Sequence, residues 1–470
     1  MTVIRHPNNQ GVTLQQWRKT AAGGETSLSG TDDFSAGLAY TVGAEEVFVN
    51  GVLIERGVDY TATSGTSVTL TNALVAGDLA TVSSPSAFNV ANAIPKATIT
   101  AKGDLLVGTG ASTPTNLGVG TDGTTLVANS ASATGVAWTA GNPIPNPVLN
   151  SAMQIWQRGT SIAIAASTSY ISGFTSDRWQ TGTGANQAIT VSRQLVSDST
   201  NLPFVQYCSR YQRNSGQTGT GTLTLAQSFE SANSVAYAGK TVTFSFYARA
   251  GANYSAASSA LIYQLYTGTG TDQNIFSGAY TGAVAAINNT ATLTTTWQRF
   301  TATATLATNT NELAIQFLYV PVGTAGANDY FEVTGVQIDI GSVALPFRTY
   351  AGTLQGELAA CQRYFQSYGG EQAYNKLSSG FSATTTAFVT VVQFPVKMRT
   401  APSFSLVGNW QISNSNVAFA ITGSTLSALQ QSSQNAFLIF AVASGLVAGG
   451  GYYVEANNST ASLAQFSAEL

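Results

Sequence analysis

Residues 241–248 read TVTFSFYA and residues 300–306 read FTATATL, and the alternation within these two stretches decides the fold. In the first, Val242, Phe244, Phe246 and Ala248 share one face; in the second, Phe300, Ala302, Ala304 and Leu306 do. A period of two is the mark of a strand with one buried face. Leu313, Ile315, Phe317 and Tyr319 repeat it, as do Val336, Ile338 and Ile340 ahead of Gly341. Turn signals separate these runs and no helical pattern intervenes. Residues 148–350 are therefore expected to form a jelly-roll-like β-sandwich of two sheets.

Working outward, VFVNGVLI (47–54) sets two apolar runs around Asn50-Gly51, a hairpin signal because both turn positions need positive φ. Ser64-Gly65 between DYTAT and TSVTL gives a second hairpin, and Gly77-Asp78 leads into LATVSS. These place a small β module at 24–90, after an N-terminal segment 1–23 in which TLQQWRK suits a short helix opening at Thr13. Over residues 91–147 large apolar side chains thin out, as expected of a Gly/Ser/Thr-rich shaft that orders only when several copies share an axis. Pro143, Pro145 and Pro147 close it as a stiff linker. In the last segment, 351–470, TLQGELAACQRYFQSY predicts one helix with Thr353 as N-cap and a stripe of Leu354, Leu358, Cys361 and Phe365. Strands follow it in a C-terminal β domain. Among them AFLIFAV (436–442) is apolar on both faces, which calls for burial between subunits. The fold class read from the sequence is mainly β, with serial domains in a trimeric fibre.

The 470 residues exceed what one core supports, and charged residues make up 9% against roughly 25% in ordinary soluble domains. A net charge of −3 without any Lys/Arg cluster speaks against nucleic acid and anionic lipid as partners. No apolar run reaches the roughly 20 residues of a membrane span, and MTVIRHPNNQ lacks the features of a secretory signal, so neither membrane insertion nor export by that route is expected. Cys208 and Cys361 are expected to be free thiols.

Four segments carry a resemblance: EVFVNGVLIERGVDYTATSGTSVTLTNALVAGD; AKGDLLVGTGASTPTNLGVGTDGTTLVANSASATGVAW; NPVLNSAMQIWQRGTS with GFTSDRW; and VTGVQIDIGSVALPF followed by ELAACQRYFQ. With FPVKMRTAPSF and the terminal AEL, the chain resembles the tail fibres and receptor-binding appendages of tailed bacteriophages. That resemblance implies a homotrimeric virion protein assembled in the host cytoplasm. Its N-terminus, with Trp17 and Arg18 as candidate attachment residues, would meet other tail or baseplate proteins. Its distal domains would bind bacterial cell-surface polysaccharide or lipopolysaccharide. The sandwich also looks like a carbohydrate-binding module. A head-decorating or connector fibre and a polysaccharide depolymerase remain as alternatives.

Gly118, Gly120 and Gly123 spell GxGxxG, but short β pieces surround them where a dinucleotide site needs a strand and a helix. The only histidine, His6, and two cysteines leave no base for a nucleophilic triad and no closed zinc site, so no catalytic residue and no cofactor is expected. Asp329, Glu332 and Asp339 lie close together; Asp329 and Glu332 form a weak Ca²⁺ candidate, and paired carboxylates are what glycan cleavage requires. Sugar rings stack on aromatic faces while amides satisfy hydroxyls. The glycan-binding candidates are therefore Trp410 with Asn409, Gln411, Asn414 and Asn416, and Tyr263 with Tyr266, against core packing as the alternative.

Overall fold

The computed structural model describes residues 13–86, 94, 96–121, 124–140, 145–184, 186–278, 280–414, 416–426 and 432–470. They fall into two compact units, one of residues 1–106 with 114–116, the other of 107–113 with 117–470. The architecture is mainly β, with several antiparallel sheets and only short helices.

In the first unit the strand Thr13–Thr20 pairs residue for residue with Leu79–Ser86, and Glu46–Val49 flanks the latter on its other side. A second sheet orders Ser27–Ser29, Ser67–Leu70 and Tyr60–Thr61. Between them lie Trp17, Leu28, Val47, Tyr60, Val68 and Val82. The helix expected at Thr13 is thus a strand: eight ladder pairs and a buried Trp17, whose indole donates to the Gly30 carbonyl at 3.1 Å, outweigh local propensity. Asn50 and Gly51 turn the hairpin at φ +50° and +81°, as the Asn-Gly pair requires.

The second unit holds the sandwich. Its strands are β1 (Ser161–Ile164), β2 (Ile171–Phe174), β3 (Gln180–Thr183), β4 (Ile189–Leu195), β5 (Tyr207–Arg213) and β6 (Leu223–Ser228). Then follow β7 (Thr241–Ala250), β8 (Ala260–Gly268), β9 (Val284–Thr292), β10 (Gln298–Thr305), β11 (Glu312–Tyr319) and β12 (Tyr330–Ile340). One sheet runs β1-β4-β5-β12-β7-β10 and the other β2-β3-β6-β11-β8-β9. The alternating residues of the two sheets meet between them: Val242, Phe244, Phe246 and Ala248 of β7 face Leu313, Ile315, Phe317 and Tyr319 of β11 in one core. Phe246 and Phe317 meet edge to face with ring centroids 4.8 Å apart. Each such ring contributes about 1.5–3 kcal/mol through burial alone.

Helix α1 (Leu354–Gln362) begins where Thr353 caps it, its side chain accepting from Gly356 N at 3.1 Å. The stripe differs from the expected one. Leu354 is exposed, and the buried positions are Glu357 and Cys361, with Tyr364 and Phe365 just past the helix. The reason is polar: the Glu357 carboxylate turns inward to accept from Asn150 N at 3.1 Å and Ala351 N at 2.7 Å. Cys208 and Cys361 are free and buried, as expected, and burial pushes both thiols up.

After α1, six strands close into a barrel in the order Lys376–Ser382, Ala387–Gln393, Asn435–Val442, Ala418–Leu426, Trp410–Ser413 and Gly451–Ala456. A three-stranded sheet packs with it, with Leu463–Ser467 between Phe365–Gly369 and Ser403–Val407. AFLIFAV is a barrel strand. Ala436, Leu438, Phe440 and Val442 point into the core, while Phe437 and Ile439 are half-buried on the outside.

Two of the segments that carry the phage-fibre resemblance, NPVLNSAMQIWQRGTS with GFTSDRW and ELAACQRYFQ, meet the terminal AEL where the sandwich joins this part. Arg158 stacks on Phe365 at 3.5 Å and reaches Glu469 at 3.1 Å; Arg178 stacks on Tyr364 at 3.7 Å and also pairs with Glu469. Trp179 Nε1 donates to the Asn150 carbonyl at 3.2 Å. These motif residues act as a latch: Glu469 is shared by the two cations, each cation lies over a ring, and Arg178 Nη2 also donates to the Ser228 carbonyl at 2.8 Å.

Candidate functional site

The parity of β8 separates the two tyrosines singled out in the sequence. Three positions apart on a strand means opposite faces. Tyr263 pairs in register with Phe317 and lies in the core against Phe244 and Phe246, so it cannot meet a ligand. Tyr266 pairs with Ala314 and lies half-buried on the outer face.

That outer face is built by register. Gln180 opposes Ala226, Ala226 opposes Gln316, Gln316 opposes Gln264, and Gln264 opposes Asn288, so one row crosses five strands from β3 to β9 with four amides, interrupted at Ala226. Gln264 is 9% exposed; its Nε2 donates to Asn288 Oδ1 at 3.0 Å, and its Oε1 has no partner among the described residues. A buried acceptor left unpaired costs free energy, of order 1–3 kcal/mol; Gln264 Oε1 is closed to solvent, and the amides of the row that a ligand can reach are the half-buried Gln316 and the exposed Asn288.

The next row along the same face is Gly182, Thr224, Leu318, Ile262 and Thr290. Over Gly182 sit Tyr170 and Phe276, stacked with centroids 6.3 Å apart; a side chain on Gly182 would collide with both. Tyr170 is 51% exposed. The turn bearing Phe276 is pinned over the face by Ile275 N donating to Ser228 Oγ at 3.1 Å and Asn274 Nδ2 donating to Gln180 Oε1 at 2.9 Å. Glu312 stands at the Tyr266 end, wholly buried. One oxygen accepts from Gln273 N at 2.5 Å, the other has no hydrogen-bond partner among the described residues, and burial pushes its carboxyl above the ordinary range. Strands β8 and β9 carry no charged residue, whereas at the Gln180 end Arg178 and Leu470 line the same hollow as Ala226 and Ser228. Amide donors and acceptors, one open ring and strands without charge suit a neutral, hydroxyl-rich ligand.

The other sequence candidates do not assemble into a site. Trp410 is 5% exposed, part of the barrel core, with Nε1 donating to the Val407 carbonyl at 2.9 Å. Around it, Gln411 Nε2 donates to Glu455 at 2.8 Å, and Asn414 Oδ1 accepts from the backbone of Asn416 and Val417, each at 3.2 Å. Asn409 and Asn416 are exposed but flank no open ring. Their density in the sequence reflects a side-chain-capped turn.

Asp329 and Glu332 form no calcium site. Asp329 accepts from Arg213 Nη1 at 2.8 Å, from Ser255 N at 3.1 Å and from the Tyr319 hydroxyl. Glu332 points to the other side, its oxygens taken by Arg210 at 2.6 Å and Arg249 at 2.5 Å. Asp339 pairs with Arg348 at 2.6 Å. Among the described residues no group of three His, Cys, Asp or Glu is placed to hold a metal. Trp17, a candidate attachment residue, is enclosed in the N-terminal core, whereas Arg18 beside it is exposed. His6 and Gly123 lie outside the described residues.

Sequence reasoning missed Tyr170, Gln264, Asn288 and Gln316. A signal was present: Gln264 and Gln316 are the polar residues at outward positions between apolar inward neighbours, Tyr263 and Leu265, Ile315 and Phe317. Only the register brings them into one row.

No family model and no curated protein matches this chain. Among solved structures it is similar to the enzymatically active domain of tailspike protein 4 of bacteriophage CBA120, at 11% identity and a TM-score of 0.26, over 42% of this chain and 21% of that one. It is similar to the TmCBM61 module solved with β-1,4-galactotriose, at 11% identity and 0.24, over 42% of this chain and 98% of that one. A third likeness is to the tandem CBM22-1–CBM22-2 domain of Xyn10C from Paenibacillus barcinonensis, at 10% identity and 0.24, over 70% of this chain and 99% of that one.

Proposed function

We propose that this chain is a non-enzymatic, glycan-binding virion subunit: a homotrimeric tail fibre of a tailed bacteriophage, fixed to tail or baseplate by its N-terminal part. The observation that carries the binding reading is an outward row in which the half-buried Gln316 and the exposed Asn288 present amides on the sheet face that also carries the open ring of Tyr170. The resemblance in the fibre-like segments supports the virion setting. The ion pairs that occupy Asp329, Glu332 and Asp339 support a role without catalysis.

The outer barrel face supports the trimer. Phe381 and Val391 are 55% and 44% exposed, and through Val389 they join Phe437 and Ile439 in a patch across three strands. Exposed apolar patches of this kind mark contacts between subunits. Tripling matters for a weak site. A millimolar contact is worth about −4 kcal/mol, and linked sites gain roughly 10²- to 10⁴-fold in avidity.

The test is a host-polysaccharide and glycan-array screen of the full chain beside Tyr170→Ala and Gln316→Leu. Binding by the parent that both variants lose, with unaltered melting, is the expected result. Failure of the parent to bind any surface glycan would sink the receptor role and leave a structural fibre. Release of new reducing ends would overturn the non-enzymatic reading.

A further inference from the structure

The turn that sets Phe276 against Tyr170 is held from two sides. On the sandwich side, Ser231 N donates to Asp272 Oδ1 at 2.8 Å and Asp272 N donates to Ser231 Oγ at 3.0 Å, alongside the bonds to Gln180 and Ser228. Asp272 and Gly278 both hold positive φ, +52° and +135°. The turn therefore keeps its shape through side-chain ties rather than a strand ladder.

The second side belongs to the C-terminal segment. Asn274 Nδ2 donates to Leu470 O at 2.6 Å as well as to Gln180 Oε1, while Asn274 Oδ1 accepts from Phe276 N at 2.8 Å. One side chain thus joins Leu470, β3 and the backbone of Phe276. Leu470 is brought there by the latch. Arg399 Nε donates to the Ala468 carbonyl and Nη2 to the Glu469 carbonyl, each at 2.8 Å; Ala468 N donates to the Tyr364 carbonyl at 2.7 Å; and Arg158 and Arg178 share the Glu469 carboxylate. Arg399 Nη1 also lies 4.0 Å from Asp272 Oδ2, at the base of the same turn. The hollow that Asn274 and Leu470 share with Phe174, Gln180 and Ala226 has room for about one water, which leaves the contact little slack.

We propose, resting on the glycan reading, that the C-terminal segment is part of the sugar-binding apparatus: Asn274 and Arg399 are positioning residues that set the Tyr170–Phe276 ring pair through Leu470. Neither touches the sugar. A turn free to swing must be ordered when a ligand binds, which lowers affinity, whereas a turn already fixed presents its ring at the height that stacking requires. The tie acts in both directions. Release of the C-terminal segment weakens sugar binding, and bound sugar steadies the segment.

The experiment uses the full chain and takes two readouts: affinity for the neutral oligosaccharide with the strongest array signal, and hydrogen exchange of the Ile275 and Phe276 amides. The variants are Asn274→Asp, which keeps the acceptor for Phe276 N and removes both donors, Arg399→Gln, Phe276→Ala, and the pairing of each of the first two with Phe276→Ala. Asn274→Asp and Arg399→Gln are each expected to bind about fivefold or more weakly, the lower end of ordinary coupling between sites, and to exchange both amides faster. On the Phe276→Ala background neither should bring a further loss, because the ring it sets is gone. Unchanged affinity, or a loss that adds in full to that of Phe276→Ala, overturns the positioning role; a residue that only stabilises the fold lowers melting and leaves binding below the melting range intact. Should Arg399→Gln fail to fold, Asn274→Asp decides by the same comparison. If the parent binds no saccharide, the glycan reading falls by itself and exchange decides the tie: faster exchange in the variants upholds it, and parental exchange overturns it.

Discussion

The Arg213 guanidinium lies 2.8 Å from the Asp329 carboxylate with both side chains wholly buried, and its other nitrogen is held by the carbonyls of Gln217, Gly219 and Gly323. Such a pair stabilises little by itself, but removing one partner strands the other in a medium that cannot solvate it. Asp329→Ala is therefore expected to lower sandwich stability by about 3–5 kcal/mol, read by urea unfolding. Added calcium should leave the melting temperature of the parent unchanged; a rise would restore the metal reading.

Trp410 and Tyr170 are expected to separate stability from binding. Trp410→Ala opens a cavity in the barrel core and should cost about 3–5 kcal/mol. Tyr170→Ala removes a half-exposed ring and should weaken glycan binding with little change in melting. The reverse pattern in calorimetry would return the site to the C-terminal domain.

Much of this fold was legible because burial and strand period coincide: the inward residues of β7, β11 and β12 are those the alternation marks. The hairpin at Asn50-Gly51 was legible because its turn needs residues that tolerate positive φ. The candidate site was not. Tyr263 and Trp410 are aromatic, and aromatic character alone does not tell which side of a strand faces water. The amide row depends on pairing between strands distant in sequence, and no single segment contains it. Helix α1 was misread at Leu354 because an inward glutamate, Glu357, is bonded to backbone amides that only the folded chain brings near.

Glu312 gives a pH dependence with a definite sign. Burial raises its folded pKa above the ordinary 4.5, so between the two values the folded state holds more protons than the unfolded. Stability from this group is present at low pH and lost as pH rises through that window. Glu312→Gln should melt a few degrees above the parent at pH 7, and the gap should close as pH approaches 4. A constant gap would mean that the carboxyl is ionised in the fold.

Val391→Lys places a charge in the outer barrel patch without touching the barrel interior. Sedimentation is expected to show a trimeric parent and a dissociated variant with the same far-ultraviolet spectrum. A parent that sediments as a well-folded single subunit would remove the case for a shared interior.

Closure of the C-terminal barrel has one more consequence. In an open sheet the outermost strand carries a row of unclaimed amide and carbonyl groups, an invitation to any neighbouring chain. Here the first and last strands of the circuit, Lys376–Ser382 and Gly451–Ala456, bond to each other, so the ring offers no such row. The barrel therefore cannot recruit a neighbouring chain strand by strand, and any contact made across it is left to side chains, which keeps that contact selective.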